Sequence, residues 1–167
     1  MNSKIKWGGK MSYYIQLGIE GINWKRVSEL LSYYGLSDLD PDKQEEVFQN
    51  SYGTAFAFDG NELIGVGRVL SDGISQAAIY NIAIDEKYHG LGIGKGIINA
   101  LISEVKDCNI ILYTHPQTID LYEHLGFRRM KTGMAIYQSS NLDEMEDEGF
   151  LLPYKYRFGD NYYERKF

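Results

Sequence analysis

Residues 81–96, Asn-Ile-Ala-Ile-Asp-Glu-Lys-Tyr-His-Gly-Leu-Gly-Ile-Gly-Lys-Gly, constrain the fold more than any other stretch of the chain. They predict a buried strand, a short turn, a glycine-rich loop and the first turns of a helix. Gly90, Gly92 and Gly94 alternate, so the backbone there is uncrowded and its N–H groups can approach a ligand closely. The helix that follows presents unpaired N–H groups and the positive end of its dipole to the same point. Strand, glycine loop and helix N-terminus together make a pyrophosphate cradle. The blander alternative is a glycine-rich turn that holds no ligand.

Spacing separates one cradle from another. The phosphate loop of nucleotide hydrolases needs G-x-x-x-x-G-K-[ST]; Gly90 and Lys95 approach it, but Gly96 stands where a magnesium-binding hydroxyl is required. The dinucleotide fingerprint fails as well, because Gly94 comes one residue early. Its acidic ribose partner, about twenty residues on, would fall near the apolar Ile110, Ile111 and Leu112.

The strand needs partners, and the flanking sequence offers them. Residues 13–17 read as a first strand. Asn23 caps a helix with Val27, Leu30, Leu31 and Tyr34 on its apolar face and Gly35 at its end. Asp40-Pro41 opens a second, polar helix to about Asn50. Residues 54–58 and 63–70 form a hairpin about Asp59-Gly60-Asn61, and a further turn at Asp72-Gly73 leads into a third strand, residues 77–84. The helix from about Gly92 to Asp107 buries Ile93, Ile97, Ile98, Leu101, Ile102 and Val105. Residues 109–114 predict an apolar strand, and Pro116 a short helix ending at Leu125-Gly126. Strands are expected from Phe127 and over residues 134–138. The result is an α/β sheet of antiparallel hairpins with one parallel crossover.

At 167 residues the chain is long enough for one domain with a real core. No run of eighteen or more apolar residues predicts a membrane span, and the basic first ten residues lack the apolar stretch of a secretory signal. The single cysteine, Cys108, forms no internal disulfide and suits a reducing cytoplasm. A net charge of −6 argues against nucleic acid as the main partner.

Two motifs carry a family resemblance. His89-Gly90-Leu91-Gly92-Ile93-Gly94 resembles the acetyl-CoA loop of the GNAT N-acetyltransferases, [QR]-x-x-G-x-[GA], with His89 where that family usually has Gln or Arg. Leu121-Tyr122-Glu123-His124-Leu125-Gly126-Phe127 is similar to the family's [FL]-Y-x-x-x-G-F, although packing of Tyr122, a C-cap at Gly126 and burial of Phe127 account for that spacing too. The element order agrees, so residues 13–138 are identified as belonging to this superfamily. Within them, residues 64–73 resemble a branch that includes arylalkylamine-acetyltransferase-like proteins.

The resemblance implies a mixed, mostly antiparallel central sheet with helices on both faces. It divides the chain into an acetyl-CoA-binding N-acetyltransferase domain, residues 1–140, and an acidic then aromatic C-terminal extension, residues 141–167. It implies transfer of an acetyl group from acetyl-CoA to a primary amine of a small molecule, by direct attack in a ternary complex. A protein or peptide acceptor, or an acyl-CoA-binding module without turnover, are the alternatives. The backbone of Ile82, Ala83 and Ile84 would line the pantetheine arm, with a backbone N–H near Ile82 facing the thioester oxygen. His89, Gly90, Leu91, Gly92, Ile93, Gly94 and Lys95 would form the pyrophosphate cradle, and Tyr122 would protonate the departing thiolate. His115 stands where many relatives carry a cofactor-contacting Asn or Asp.

The general base is not assigned. An alkyl amine is about a thousandfold protonated at pH 7, so a proton acceptor is needed. The positions matching the usual Glu or His are Ala78 and Tyr80, the latter a water-ordering group or a core or pocket-wall aromatic. The histidines at 89, 115 and 124 lack ligand spacing, and no metal is expected. The acidic run 143–148 reads as a solvated loop. The aromatics of residues 150–167 call for a cover: the domain's own surface, the substrate entrance, or the second subunit of an expected cytoplasmic homodimer.

Overall fold

Residues 53–58 and 63–67 are buried on both faces and build the centre of the sheet. A computed structural model describes residues 3–4, 13–138 and 142–152, which fall into two compact units divided between Tyr113 and Thr114. The first unit is a six-stranded sheet in the order β1 (Ser3–Lys4), β2 (Tyr13–Leu17), β3 (Gly53–Asp59), β4 (Glu62–Ser71), β5 (Gln76–Ile84) and β6 (Asn109–Ile111). Every neighbouring pair is antiparallel except β5 and β6, so the expected mixed, mostly antiparallel sheet is what forms.

Local chemistry closes each hairpin. Gly60 takes a φ of +58° at the β3–β4 turn, a conformation only glycine adopts without cost. At the β4–β5 turn the Asp72 carboxylate accepts from the backbone N–H groups of Ile74, Ser75 and Gln76 at 2.8, 2.7 and 3.1 Å. The Ser75 hydroxyl adds a fourth donor at 2.7 Å. These donors hold the Asp72 carboxyl well below the usual carboxylate range.

One sheet face carries helices α1 (Trp24–Tyr33) and α2 (Pro41–Gln49), the other α3 (Ile93–Glu104). Asn23 and Asp40 cap the first two as expected, each accepting a backbone N–H from three residues on. Val27, Leu30, Leu31 and Phe48 from these helices bury against Phe56, Phe58, Val66 and Ala83 of the sheet. Each such side chain contributes about 1.5–3 kcal/mol by leaving water. On the opposite face Gly65 and Gly67 of β4 offer only backbone. A Cβ at Gly65 would lie 2.9 Å from Ile97 Cδ1, and one at Gly67 2.7 Å from Ile97 Cγ2. Those two glycines let α3 seat directly on the strand.

The second unit holds a 3₁₀ turn (Pro116–Thr118), α4 (Ile119–His124) and α5 (Leu142–Asp147). Four expectations change. The strand foreseen over residues 109–114 is only Asn109–Ile111. The α3 helix stops at Glu104, three residues before Asp107. No strand forms from Phe127 or over residues 134–138; Met134 is 96% and Ile136 64% exposed. Strand propensity is realised only where a partner strand accepts the backbone, and no described strand pairs with that segment. The acidic run is helical rather than a loop. Asp143 and Glu144 lie in the first turn of α5, where the dipole favours them, and Gly149 at φ +84° closes it through Phe150 N–H to Met145 O at 2.9 Å. The aromatic residues from 153 onward lie outside the described residues. No described helix is long and apolar enough to cross a membrane.

Candidate active site

The site is organised by what happens to β5. Opposite β4 it carries one extra residue, because Val66 pairs with Ala83 but Arg68 with Tyr80, leaving Asn81 and Ile82 facing Gly67 alone. Asn81 sits at φ +56°, which asparagine tolerates better than most residues. Its amide is held from both ends. Arg68 Nε donates to Asn81 Oδ1 at 2.6 Å, and Asn81 Nδ2 donates to the Leu36 carbonyl at 3.3 Å. The bulge puts Tyr80 and Ala83 on the α1–α2 face and turns Ile82 and Ile84 toward α3.

On its other side β5 loses its neighbour. The parallel ladder to β6 covers only residues 76–78, and β5 runs on to Ile84 with no described strand beside it. Ile82, Ala83 and Ile84 lie in that stretch. The Ala83 side chain is spent in the core and that of Ile82 lies over Gly67, so their backbone groups are what an extended ligand would meet.

The strand's end is pinned. Tyr34 donates its hydroxyl to the Ile84 carbonyl at 2.6 Å, and His89 Nε2 lies 3.0 Å from that carbonyl and 2.9 Å from the Tyr34 oxygen. Tyr34 has one proton and gives it to Ile84. His89 Nε2 therefore carries a hydrogen and donates to this pair. Asp85 follows, paired with Arg26 and accepting the Lys87 N–H at 3.0 Å. Burial pushes the Asp85 carboxyl up, but those donors outweigh it and hold the group below its ordinary range.

Beyond the pin the loop opens. Gly90 and Gly92 both adopt φ +77°, and a Cβ on either would meet nothing within 4 Å. Gly92 is the N-cap of α3 and no side chain caps it; the first helical bond is Gly96 N–H to Gly92 O at 3.0 Å. The N–H groups at the start of α3 thus have no intrahelical acceptor, and the glycines before them leave the adjoining loop uncrowded by side chains. That geometry fits a diphosphate. Ile93 is buried and roots the helix, Leu91 and Lys95 are exposed, and Gly94 comes near only Ile84.

Tyr122 belongs to the second unit. Its ring stands edge-on to Phe127 at 5.8 Å between centroids. Burial pushes its hydroxyl pKa up, and a hydrogen bond with Thr114 works the other way. Leu125 is the C-cap of α4, and Gly126 follows it at φ +94°. His115 caps the 3₁₀ turn through Nδ1 and packs edge-on against Phe150. Sequence reasoning passed over Arg68, Asn81 and Tyr34. A charged residue amid apolar β4 and an asparagine inside β5 were the available signals. Among the described residues, no group of three His, Cys, Asp or Glu side chains is placed to hold a metal ion.

Comparison with known proteins adds lineage to geometry. The family model described as acetyltransferase (GNAT) family matches residues 23–127. GCN5-related N-acetyltransferase 1, chloroplastic, of Arabidopsis thaliana is 26% identical over 113 residues, 65% of this chain and 57% of that protein. Histone acetyltransferase TAP1 of Glycine max is 37% identical over 82 residues, 46% of this chain and 36% of that protein. The chain thus spans little more than half of one relative and about a third of the other. Among solved structures, the GNAT family acetyltransferase SP0256 from Streptococcus pneumoniae TIGR4 superposes with a TM-score of 0.64 at 19% identity, covering 76% of this chain and 99% of that one.

Proposed function

The chain belongs to the GNAT acetyltransferase family, and from that premise we propose that it transfers an acetyl group from acetyl-CoA to a primary amine of a small molecule. One observation carries the reading: β5 outruns its parallel partner by six residues, 79–84, and then delivers the backbone into an uncapped glycine loop. An open strand edge followed by an open helix N-terminus matches a long ligand with an amide-bearing arm and a diphosphate at its far end.

Bound acetyl-CoA supplies a thioester whose C–S bond breaks as the C–N bond to the amine forms, both partners being held in one ternary complex. The residues divide the remaining work. Backbone groups of Ile82, Ala83 and Ile84 hold the pantetheine arm, and an N–H at Ile82 faces the oxygen on which negative charge develops. Loop N–H groups from Gly90 to Lys95 hold the diphosphate. His89 keeps the loop tied to the end of β5 through Ile84 and Tyr34. Tyr122 gives its proton to the leaving thiolate, and the proton that the amine sheds on forming the amide passes to water, from which the tyrosine is reprotonated. Tyr80, on the α1–α2 face beside the opened edge, walls the acceptor's approach.

A peptide acceptor is the second reading, favoured by the likeness to a histone acetyltransferase. We place the enzyme in the cytoplasm as a homodimer, on the strength of its lone cysteine and its aromatic tail. Release of free thiol from acetyl-CoA, scanned over polyamines, arylalkylamines and peptides, tests the assignment. Turnover with small amines is expected. Turnover with peptides alone transfers the assignment to the second reading, and thermal stabilisation by acetyl-CoA without any turnover leaves a binding module.

A further inference from the structure

We infer that Arg68 anchors an anionic group, a carboxylate or a phosphate, carried by the amine that accepts the acetyl group. The inference rests on the transferase reading above and narrows its substrate class.

Arg68 occupies the middle of β4, on the α1–α2 face between Val66 and Leu70. Its guanidinium lies 5.3 Å from the Tyr80 ring centroid and 6.0 Å from that of Phe48. This apolar setting pulls its pKa down through burial. The other paired arginines have acids: Arg26 has Asp85, and Arg129 has Glu123 and Asp120. Arg68 has none within ion-pair distance among the described residues. Its polar partners are neutral, Asn81 Oδ1 at 2.6 Å and Ser51 Oγ at a long 3.4 Å. A guanidinium has five N–H donors in a fork shaped for oxyanions, and these two bonds use two of them. Arg68 is half-buried, and half-burying a charge without its opposite carries a desolvation cost that an arriving anion would offset.

There is a place for it to arrive. A groove of about 480 Å³ lies between α2, which contributes Lys43, Glu46, Val47 and Asn50, and β4, which contributes Arg68 and Leu70. Lys43 is already engaged by Glu46 at 2.6 Å, so the charge left for a ligand is that of Arg68. The groove also adjoins the proposed chemistry. Arg68 pairs across the sheet with Tyr80, two residues beyond the point where β5 parts from β6. One strand spacing, about 4.8 Å, separates the backbone of β4 at Arg68 from that of β5, the strand with the opened edge. Tyr113, edge-on to Tyr80 at 5.8 Å, extends an aromatic wall beside it. An amine bearing a carboxylate or phosphate a few bonds away spans both. The competing role for Arg68 is a staple for the Asn81 bulge, which would affect all substrates alike.

Two matched pairs of acceptors separate these roles: tyramine against tyrosine, and ethanolamine against O-phosphoethanolamine. The wild-type enzyme should favour the anionic member. Arg68→Gln should lower kcat/KM for that member by about ten- to a hundredfold more than for the uncharged member, chiefly through KM, any loss common to both members reporting the lost bond to Asn81. Arg68→Lys should restore part of the preference. Preference within the first pair alone assigns a carboxylate, within the second alone a phosphate. If Arg68→Gln does not fold, 3-(4-hydroxyphenyl)propanoate and ethyl phosphate serve on the wild type. At least one should inhibit competitively against the amine, whereas 4-ethylphenol should not. Equal loss for both members in both pairs, or no inhibition by either anion, overturns the role of Arg68 while turnover of tyramine leaves the transferase standing. No turnover with any amine removes the transferase reading and this one with it.

Discussion

Asn81 meets two demands at once: a left-handed backbone in the middle of a strand, and an amide that bonds in both directions. Asn81→Val should lower stability by about 2 kcal/mol in urea unfolding, because a β-branched side chain is strained at φ +56° and the two hydrogen bonds are lost. Asn81→Gly should lose less, since it keeps the backbone. Asp72 supports the adjoining turn differently. Its carboxyl is depressed in the folded state, so its contribution is complete above the ordinary value of 3.8 and fades as pH falls below it. The Tm gap between wild type and Asp72→Ala should hold constant from pH 5 to 8 and narrow below about pH 4. At Tyr122, replacement by Phe keeps the ring against Phe127 and removes the proposed acid. We expect kcat to fall by at least about tenfold with acetyl-CoA affinity little changed. The family spacing pointed to His89 and Tyr122 as candidates in the sequence. The pairing of His89 with Tyr34 joins residues 55 positions apart, which no local pattern reveals.

Elements whose signals are local were readable in advance. The caps of α1 and α2 lie beside the helices they start, and the apolar face of α3 repeats within its own length. Strands depend on neighbours instead. That is why β6 proved three residues long and why residues 134–138, alternating well enough on paper, form none. The acidic run misled for a related reason: its charges looked solvating, while Leu142 and Met145 give α5 a half-buried stripe. The seat of α3 on β4 offers a direct test. Gly67→Ala would place a Cβ 2.5 Å from Ile82 Cδ1 and 2.7 Å from Ile97 Cγ2. Overpacking of that kind should cost about 1–3 kcal/mol, measurable by denaturant unfolding, and should weaken acetyl-CoA binding by shifting α3.

At the scale of the molecule, the proposed homodimer should appear in light scattering of the full chain at micromolar concentration. Truncation after Ser140 should return it to a monomer, and a full chain that is already monomeric ends the idea. A last consequence comes from the stretch of β5 that runs beyond β6. A row of strand backbone positioned to receive a ligand is also a template for any other extended chain, and natural sheets guard such edges with bulges and charge. Here the bulge at Asn81 twists the strand, but the sequence from Ile82 to Ile84 is wholly apolar. The co-substrate would then act as a chaperone for its own enzyme. Concentrated protein stripped of coenzyme A should aggregate slowly through this edge, and acetyl-CoA at saturating concentration should stop it.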